Sequence, residues 1–148
     1  MPSSYSTDLK LELMVTGEKS GEWGDITNTN LKLLQQGVAG YQEVSIAGGI
    51  QTTALAMTNA ALSNARNAVI KFTGSITGAQ TVTIPAGIEK LYVIENGTSG
   101  LFTVAFSPVG GSQVTWATTD KGTKLIWCDG TDAVESGIGP AGATTQVQ

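Results

Sequence analysis

Alternation of apolar and polar positions, the period-two signature of half-buried strands, dominates this chain. It opens in residues 5–15, where Leu9, Leu11 and Leu13 are apolar and Lys10 and Glu12 between them are polar. One apolar face on a segment of that length predicts a strand with one side buried. From residue 41 onward the same period returns in short segments, and 41–46, 68–73, 81–84, 90–95, 102–106, 113–116 and 124–128 each read as a strand. Between them lie Gly48-Gly49, Gly74-Ser75, Pro85-Ala86-Gly87, Asn96-Gly97, Pro108-Val109-Gly110-Gly111 and Asp129-Gly130. Asn-Gly and Asp-Gly tolerate the positive φ of tight hairpin turns, so they predict antiparallel neighbours. The stretch 54–64 is rich in alanine but punctuated by Thr and Asn, and reads as a loop with short extended parts.

One segment changes period. Leu31, Leu34 and Val38 recur at helical spacing behind Thr27-Asn28-Thr29-Asn30, whose side chains suit an N-cap, and Gly37 or Gly40 can end the run. The spacing predicts a helix over about 27–38, too short to stand on its own propensity and so dependent on packing. A polar, glycine-bearing loop with Trp23 in it precedes that helix. The expected fold is mainly β: an N-terminal strand and one short helix, followed by an antiparallel β-sandwich or jelly-roll-like domain. Three zones result: an N-terminal attachment segment, 1–40, a β domain, 41–136, and a flexible tail, 137–148.

Composition sharpens this picture. With 148 residues the chain can bury one core, and 19 glycines with only 14% charged residues exclude both a disordered chain and a helical bundle. A formal net charge of −4 disfavours a nucleic-acid partner, because phosphate-neutralising cations are in the minority. The single cysteine excludes an intrachain disulfide and suits folding in a reducing cytoplasm. The N-terminus has neither the basic nor the apolar region of a signal peptide, and no apolar run reaches the roughly 18 residues that would span a membrane, so no membrane insertion is expected. A protein of this kind that works outside a cell would leave by lysis or assembly.

Chemistry is sparse. Without histidine the chain lacks the commonest general base and zinc ligand. Cys128, between Trp127 and Asp129, reads as a buried or turn-edge thiol rather than a nucleophile. The letters of a dinucleotide fingerprint occur in Gly137-Ile138-Gly139-Pro140-Ala141-Gly142, but no helix can start there and no acidic residue follows. Asp129-Gly130-Thr131-Asp132 falls short of a calcium loop and reads as a bare turn, as does the formal sequon Asn96-Gly97-Thr98. Glu18, Glu22 and Asp25 read as a solvated loop rather than a catalytic pair. The expectation is a non-enzymatic protein with no cofactor and no bound metal.

Recognition by surface remains. Of the large amphipathic side chains Trp23, Tyr41, Trp116 and Trp127, the last is expected in the core. Trp23 reads equally as a plug for a neighbouring subunit or as packing at the helix base. It stands among the charges Asp8, Lys10, Glu12, Glu18, Lys19, Glu22 and Asp25, the anatomy of a docking site. The apolar strand and the helix face Leu31, Leu34 and Val38 together exceed what one small sandwich needs, which predicts a homo-oligomer. The expected interaction residues are Leu9, Leu11, Leu13, Trp23, Asp25, Asn28, Asn30, Leu31 and Leu34.

The run Tyr5-Ser6-Thr7-Asp8-Leu9-Lys10-Leu11-Glu12-Leu13, then Thr16-Gly17-Glu18, Gly21-Glu22-Trp23-Gly24-Asp25 and Thr27-Asn28-Thr29-Asn30-Leu31, resembles the head module of tail-fibre and related virion proteins of marine bacteriophages, including those of cyanobacteria. The resemblance extends more weakly through Glu43-Val44-Ser45-Ile46-Ala47-Gly48-Gly49 and Ala60-Ala61-Leu62-Ser63-Asn64-Ala65-Arg66-Asn67 into Gly78-Ala79-Gln80-Thr81-Val82-Thr83-Ile84-Pro85. It implies a structural virion protein assembled in the host cytoplasm, a tail-fibre or fibre-anchoring component of the viral tail. It also implies a homotrimer contacting other virion proteins. No long shaft or receptor-binding tip follows the β portion, where this chain departs from a full fibre. Two alternatives share the composition: a capsid decoration protein or head fibre, and a sandwich that binds host surface glycans for attachment. A polysaccharide hydrolase is the weakest, since no carboxylate pair is in view.

Overall fold

The computed structural model describes residues 3–136. The proposed tail and the Gly-rich fingerprint letters lie outside the described residues. The body is mainly β with one helix and is sandwich-like, in agreement with the sequence. The elements are β1 (Ser4–Tyr5), β2 (Glu12–Leu13), α1 (Trp23–Ala39), β3 (Tyr41–Ser45), β4 (Gln51–Ala54), a 3-10 turn (Asn64–Arg66), β5 (Val69–Thr73), β6 (Gln80–Ile84), β7 (Glu89–Asn96), β8 (Val104–Pro108), β9 (Val114–Trp116), β10 (Thr123–Asp129) and β11 (Ala133–Glu135).

Two sheets form the sandwich, a five-stranded one in the order β11-β10-β7-β5-β3 and a four-stranded one in the order β4-β6-β8-β9. Their pairing is mixed rather than wholly antiparallel. β3, β5 and β7 run parallel in one sheet, and β4, β6 and β8 run parallel in the other. The chain therefore winds as three stacked rungs, β3-β4, β5-β6 and β7-β8, each crossing from one sheet to the other. The corners stack as well, through the parallel bridges Gly48–Ile76 and Ser75–Ser99. Antiparallel strands close the third rung: β9 beside β8, β10 beside β7, and β11 beside β10.

Asn96-Gly97 makes no hairpin. It is the corner where the third rung leaves β7 for the opposite sheet, and Asn96 is buried there. Its Oδ1 accepts the Thr98 N–H at 3.2 Å and the Thr98 hydroxyl at 2.6 Å, while its Nδ2 donates to the Asp120 carbonyl at 2.9 Å. A Cβ at Gly97 would lie 2.6 Å from Lys71 Cε and 2.9 Å from the Phe72 carbonyl, so glycine answers to rung stacking rather than to a turn. Asp129-Gly130 does form the expected turn between β10 and β11: Gly130 has φ +95°, and Asp129 Oδ1 accepts the N–H groups of Thr131 and Asp132.

The core lies between the sheets. Ile70 and Phe72 of β5, Tyr92 and Ile94 of β7 and Ile126 of β10 face Val82 and Ile84 of β6, Val104 and Phe106 of β8 and Trp116 of β9. Alternation along each strand sends these residues inward. Phe72 meets Trp116 edge-on at 6.0 Å and Tyr92 meets Phe106 edge-on at 5.5 Å, the favoured aromatic geometry. Trp116, considered above as a surface aromatic, is fully buried and donates its indole N–H to the Gly122 carbonyl at 2.9 Å.

The N-terminal segment departs from expectation in two places. Of the predicted strand only Tyr5, Glu12 and Leu13 lie in strand pairing, Ser4–Tyr5 against Glu12–Leu13, because Lys10 takes a left-handed φ of +57° and breaks the extended run. That kink turns the Lys10 carbonyl to the Ala60 N–H at 2.9 Å. The helix begins at Trp23, a turn earlier than the Thr-Asn run suggested, and Glu22 at its N-cap makes no side-chain cap bond. Asn30 lies inside the helix rather than at its cap, and its amide grips the arm: Oδ1 accepts the Glu12 N–H and Nδ2 donates to the Glu12 carbonyl, both at 2.9 Å.

Candidate functional site

Helix α1 has two apolar faces side by side. Leu33, fully buried, marks the inner face, together with half-buried Ile26, Asn30 and Gly37. Gly37 admits the Leu9 side chain, whose Cδ1 would lie 3.1 Å from a Cβ at that position. The second face looks outward. Trp23 is 62% exposed, Leu31 57%, Leu34 38% and Val38 77%. At about 100° per residue these four fall within one arc of roughly 80°, a continuous stripe along the helix. Thr27, half-buried, lies on the same arc. From Leu31 the spacing of three and then four residues, through Leu34 to Val38, is that of a coiled-coil seam.

The inner face is held by Arg66. This guanidinium is fully buried with no carboxylate among its bonded partners. Nε donates to the Leu9 carbonyl at 2.8 Å, and the two terminal nitrogens donate to the carbonyls of Ala61 and Thr58. One of them also reaches Gln36 Oε1 and Ser63 Oγ. A single side chain thus ties together the N-terminal arm, the helix and the segment between β4 and β5. Asp8 adds a further tie, accepting the Glu89 N–H at 2.8 Å. The N-terminal segment is consequently packed onto the sandwich, with the outward face of its helix left open.

The expected interaction residues divide accordingly. Leu31, Leu34 and Trp23 share the outward stripe, and Asp25, Asn28 and Leu13 are also exposed. Leu9, Leu11 and Asn30 are half-buried, with Leu9 and Asn30 spent on internal contacts. Trp23 is the helix's first residue and lies open rather than packed at its base. The ring of charges around it is partly internal: Glu12 pairs with Lys19 at 3.9 Å, and Glu18 accepts the Ser3 hydroxyl at 3.0 Å. Trp127, expected in the core, is 47% exposed on the outer face of the five-stranded sheet, because Ile126 and Cys128 on either side of it point inward. Val38 belongs to the stripe by exposure, and its spacing from Leu34 was the signal for it. Nothing in the sequence marked Arg66.

Titratable groups cluster at one end of the core. Cys128 pairs in register with Lys90, and burial pushes its thiol up to about 11. Burial likewise lowers the Lys90 amine to about 8, although it sits 4.4 Å over the Tyr92 ring and donates to the Leu91 and Gly37 carbonyls. Burial raises the Tyr92 phenol, whose hydroxyl donates to the Ala65 carbonyl. A protonated thiol of this kind is a poor nucleophile or metal ligand at neutral pH. Among the described residues no three Cys, Asp or Glu side chains gather as a metal site.

No protein-family model, no curated protein and no solved structure matches this chain.

Proposed function

We propose that this chain is a structural protein of a bacteriophage virion, a tail-fibre or fibre-anchoring component. It assembles as a homotrimer and joins neighbouring virion proteins through its N-terminal segment; it carries no enzymatic activity. The observation that carries this reading is the outward stripe Trp23, Leu31, Leu34 and Val38 on a helix whose other face is already packed. Four large apolar side chains in one arc of water-facing helix favour association, and a three-four spacing is self-complementary between copies. The sequence resemblance of residues 5–31 to virion head modules supplies the biological setting. The glycan-binding alternative loses ground, because such a site needs exposed aromatics and Trp116 is in the core.

Light scattering on the full chain at micromolar concentration should report three times the monomer mass. Leu31→Glu with Leu34→Glu should return it to a monomer with unchanged circular dichroism, since neither residue is buried. Trp23→Ala should weaken incorporation into particles by about 2–4 kcal/mol, the range of an interface hot spot. A wild-type monomer together with undiminished incorporation of the helix variants would overturn the assignment. Locating the chain in a reconstruction of the intact particle separates a tail position from a capsid one.

A further inference from the structure

The outer face of the five-stranded sheet carries a second apolar surface, unrelated to the helix stripe. Side chains that share a register row lie in line across the strands. One row runs Tyr41, Val69, Val93 and Leu125 over β3, β5, β7 and β10. The next, two residues along, runs Leu91, Trp127 and Val134 over β7, β10 and β11. Together they form a slanted band that reaches from one edge strand to the other. Tyr41, Leu91, Trp127 and Val134 are exposed along it and the other three are half-buried.

The rows beyond the band are charged and mostly acidic. On one side Glu43, Lys71 and Glu95 stand in register, and on the other Glu89 stands opposite Asp129. Four carboxylates thus face one ammonium. Two copies packed band to band would bring acidic rows together, which costs affinity, whereas a basic-flanked partner gains it. The dimensions narrow the partner further. Five strands at about 4.8 Å spacing give a band about 24 Å long, and two rows about 6.6 Å apart make it, with their side chains, about 10–12 Å wide. That width is the diameter of one α-helix, and that length is about 16 helical residues. At a few hundred Å² the band is smaller than the roughly 800 Å² per partner of a standard globular interface.

We propose that this band docks an amphipathic helix of about four turns from a partner protein, with an apolar face flanked by Lys and Arg. Trp127 and Leu91, adjacent in register and both exposed, are its central anchors.

The test uses the full chain in a Trp23→Phe background, so that Trp127 is the only exposed indole. The probe is an 18-residue Leu/Lys peptide patterned as an amphipathic helix. Its controls are a scrambled peptide of the same composition and a Leu/Glu peptide with the same pattern. The Leu/Lys peptide should shift Trp127 emission to the blue and saturate at micromolar concentration, with both controls at least tenfold weaker. Leu91→Ser should weaken binding at least tenfold, and Glu43→Gln with Glu95→Gln several-fold, with the charge effect lost in high salt. Equal binding of the Leu/Lys peptide and either control, no binding of the Leu/Lys peptide, or indifference to Leu91→Ser would overturn the proposal. So would sedimentation showing that the chain self-associates through the band, with Leu91→Ser abolishing the assembly. The helix-stripe variants leave the band intact, so the two assignments fail independently.

Discussion

At the scale of single residues, two basic side chains, Arg66 buried and Lys90 half-buried, carry more of the architecture than their number suggests. Arg66 is satisfied entirely by carbonyls and neutral side chains, so its removal orphans several acceptors at once. Arg66→Met should lower stability by about 3 kcal/mol in urea unfolding and loosen the N-terminal arm, read as faster amide exchange at Leu11 and Glu12. Arg66→Lys should recover only part of the loss, since an ammonium lacks the planar fork. Lys90 is the second. Its folded value of about 8 lies below the ordinary 10.5, so between those values the unfolded chain binds the proton that the folded chain has released. Its contribution is present at high pH and is lost as pH falls through 8. Cys128, raised to about 11 from 9.0, acts with the opposite sign, but only above pH 9.0. In the window from pH 8 to 9 stability should therefore rise, by at most about 1 kcal/mol, and Lys90→Met should flatten that rise. Neither residue was conspicuous in the sequence, because what singles them out is burial between segments far apart in the chain.

At the scale of elements, all seven strands read from the β portion exist, and their ends fall within two residues of expectation. Alternation is a local property, and a strand buried on one face displays it whatever its partner. Pairing is not local, and Asn96-Gly97 shows the difference. The dipeptide permits a hairpin turn, but here Gly97 has no positive φ and serves, through its missing Cβ, a corner where rungs approach closely. β4 escaped notice because Gln51-Thr52-Thr53-Ala54 has no apolar alternation of its own and pairs only as the first rung of a stack. The corners give a discriminating test of that stack. Gly87 and Gly100 both have positive φ, at +88° and +111°, but a Cβ at Gly87 meets open space while one at Gly100 would collide with the Ile76 carbonyl of the neighbouring rung. Gly87→Ala should cost about 1 kcal/mol from backbone conformation alone. Gly100→Ala should cost about 3 kcal/mol or more, because the rungs must separate to admit the methyl. Thermal unfolding of the two variants side by side measures the difference, and equal losses would argue against close stacking at that corner.

At the scale of the whole molecule, the stacked rungs imply a period that the alternation of single strands conceals. Val69 pairs with Val93 and Gln80 with Val104, each 24 residues on, so the second and third rungs keep one register through both sheets. The first rung lies 28 residues back at Tyr41 and 29 back at Gln51, a mismatch of one residue taken up at the corner. Few identities accompany the period: Val69-Ile70 lies over Val93-Ile94 and Ser75 over Ser99, whereas Thr81-Val82 lies over Ala105-Phe106. Repetition is therefore visible in the pairing and almost absent from the letters. Such a coil adds rungs as units, each stabilised by its neighbours. Duplicating residues 69–92 in tandem should then insert one rung in register, since every pair re-forms one period along. The product should stay folded, with a melting temperature within a few degrees of the parent and a length greater by about 5 Å in solution scattering, one strand spacing. The same insertion shortened by three residues changes inward for outward side chains at the junction and should leave the chain unfolded or aggregated. If both insertions fold equally well, the sheets tolerate register slips and the stacked rungs are not the organising unit. If neither folds, closure by β9 and β10 fixes the coil at three rungs, and the helix and arm secured by Arg66 are matched to that height alone.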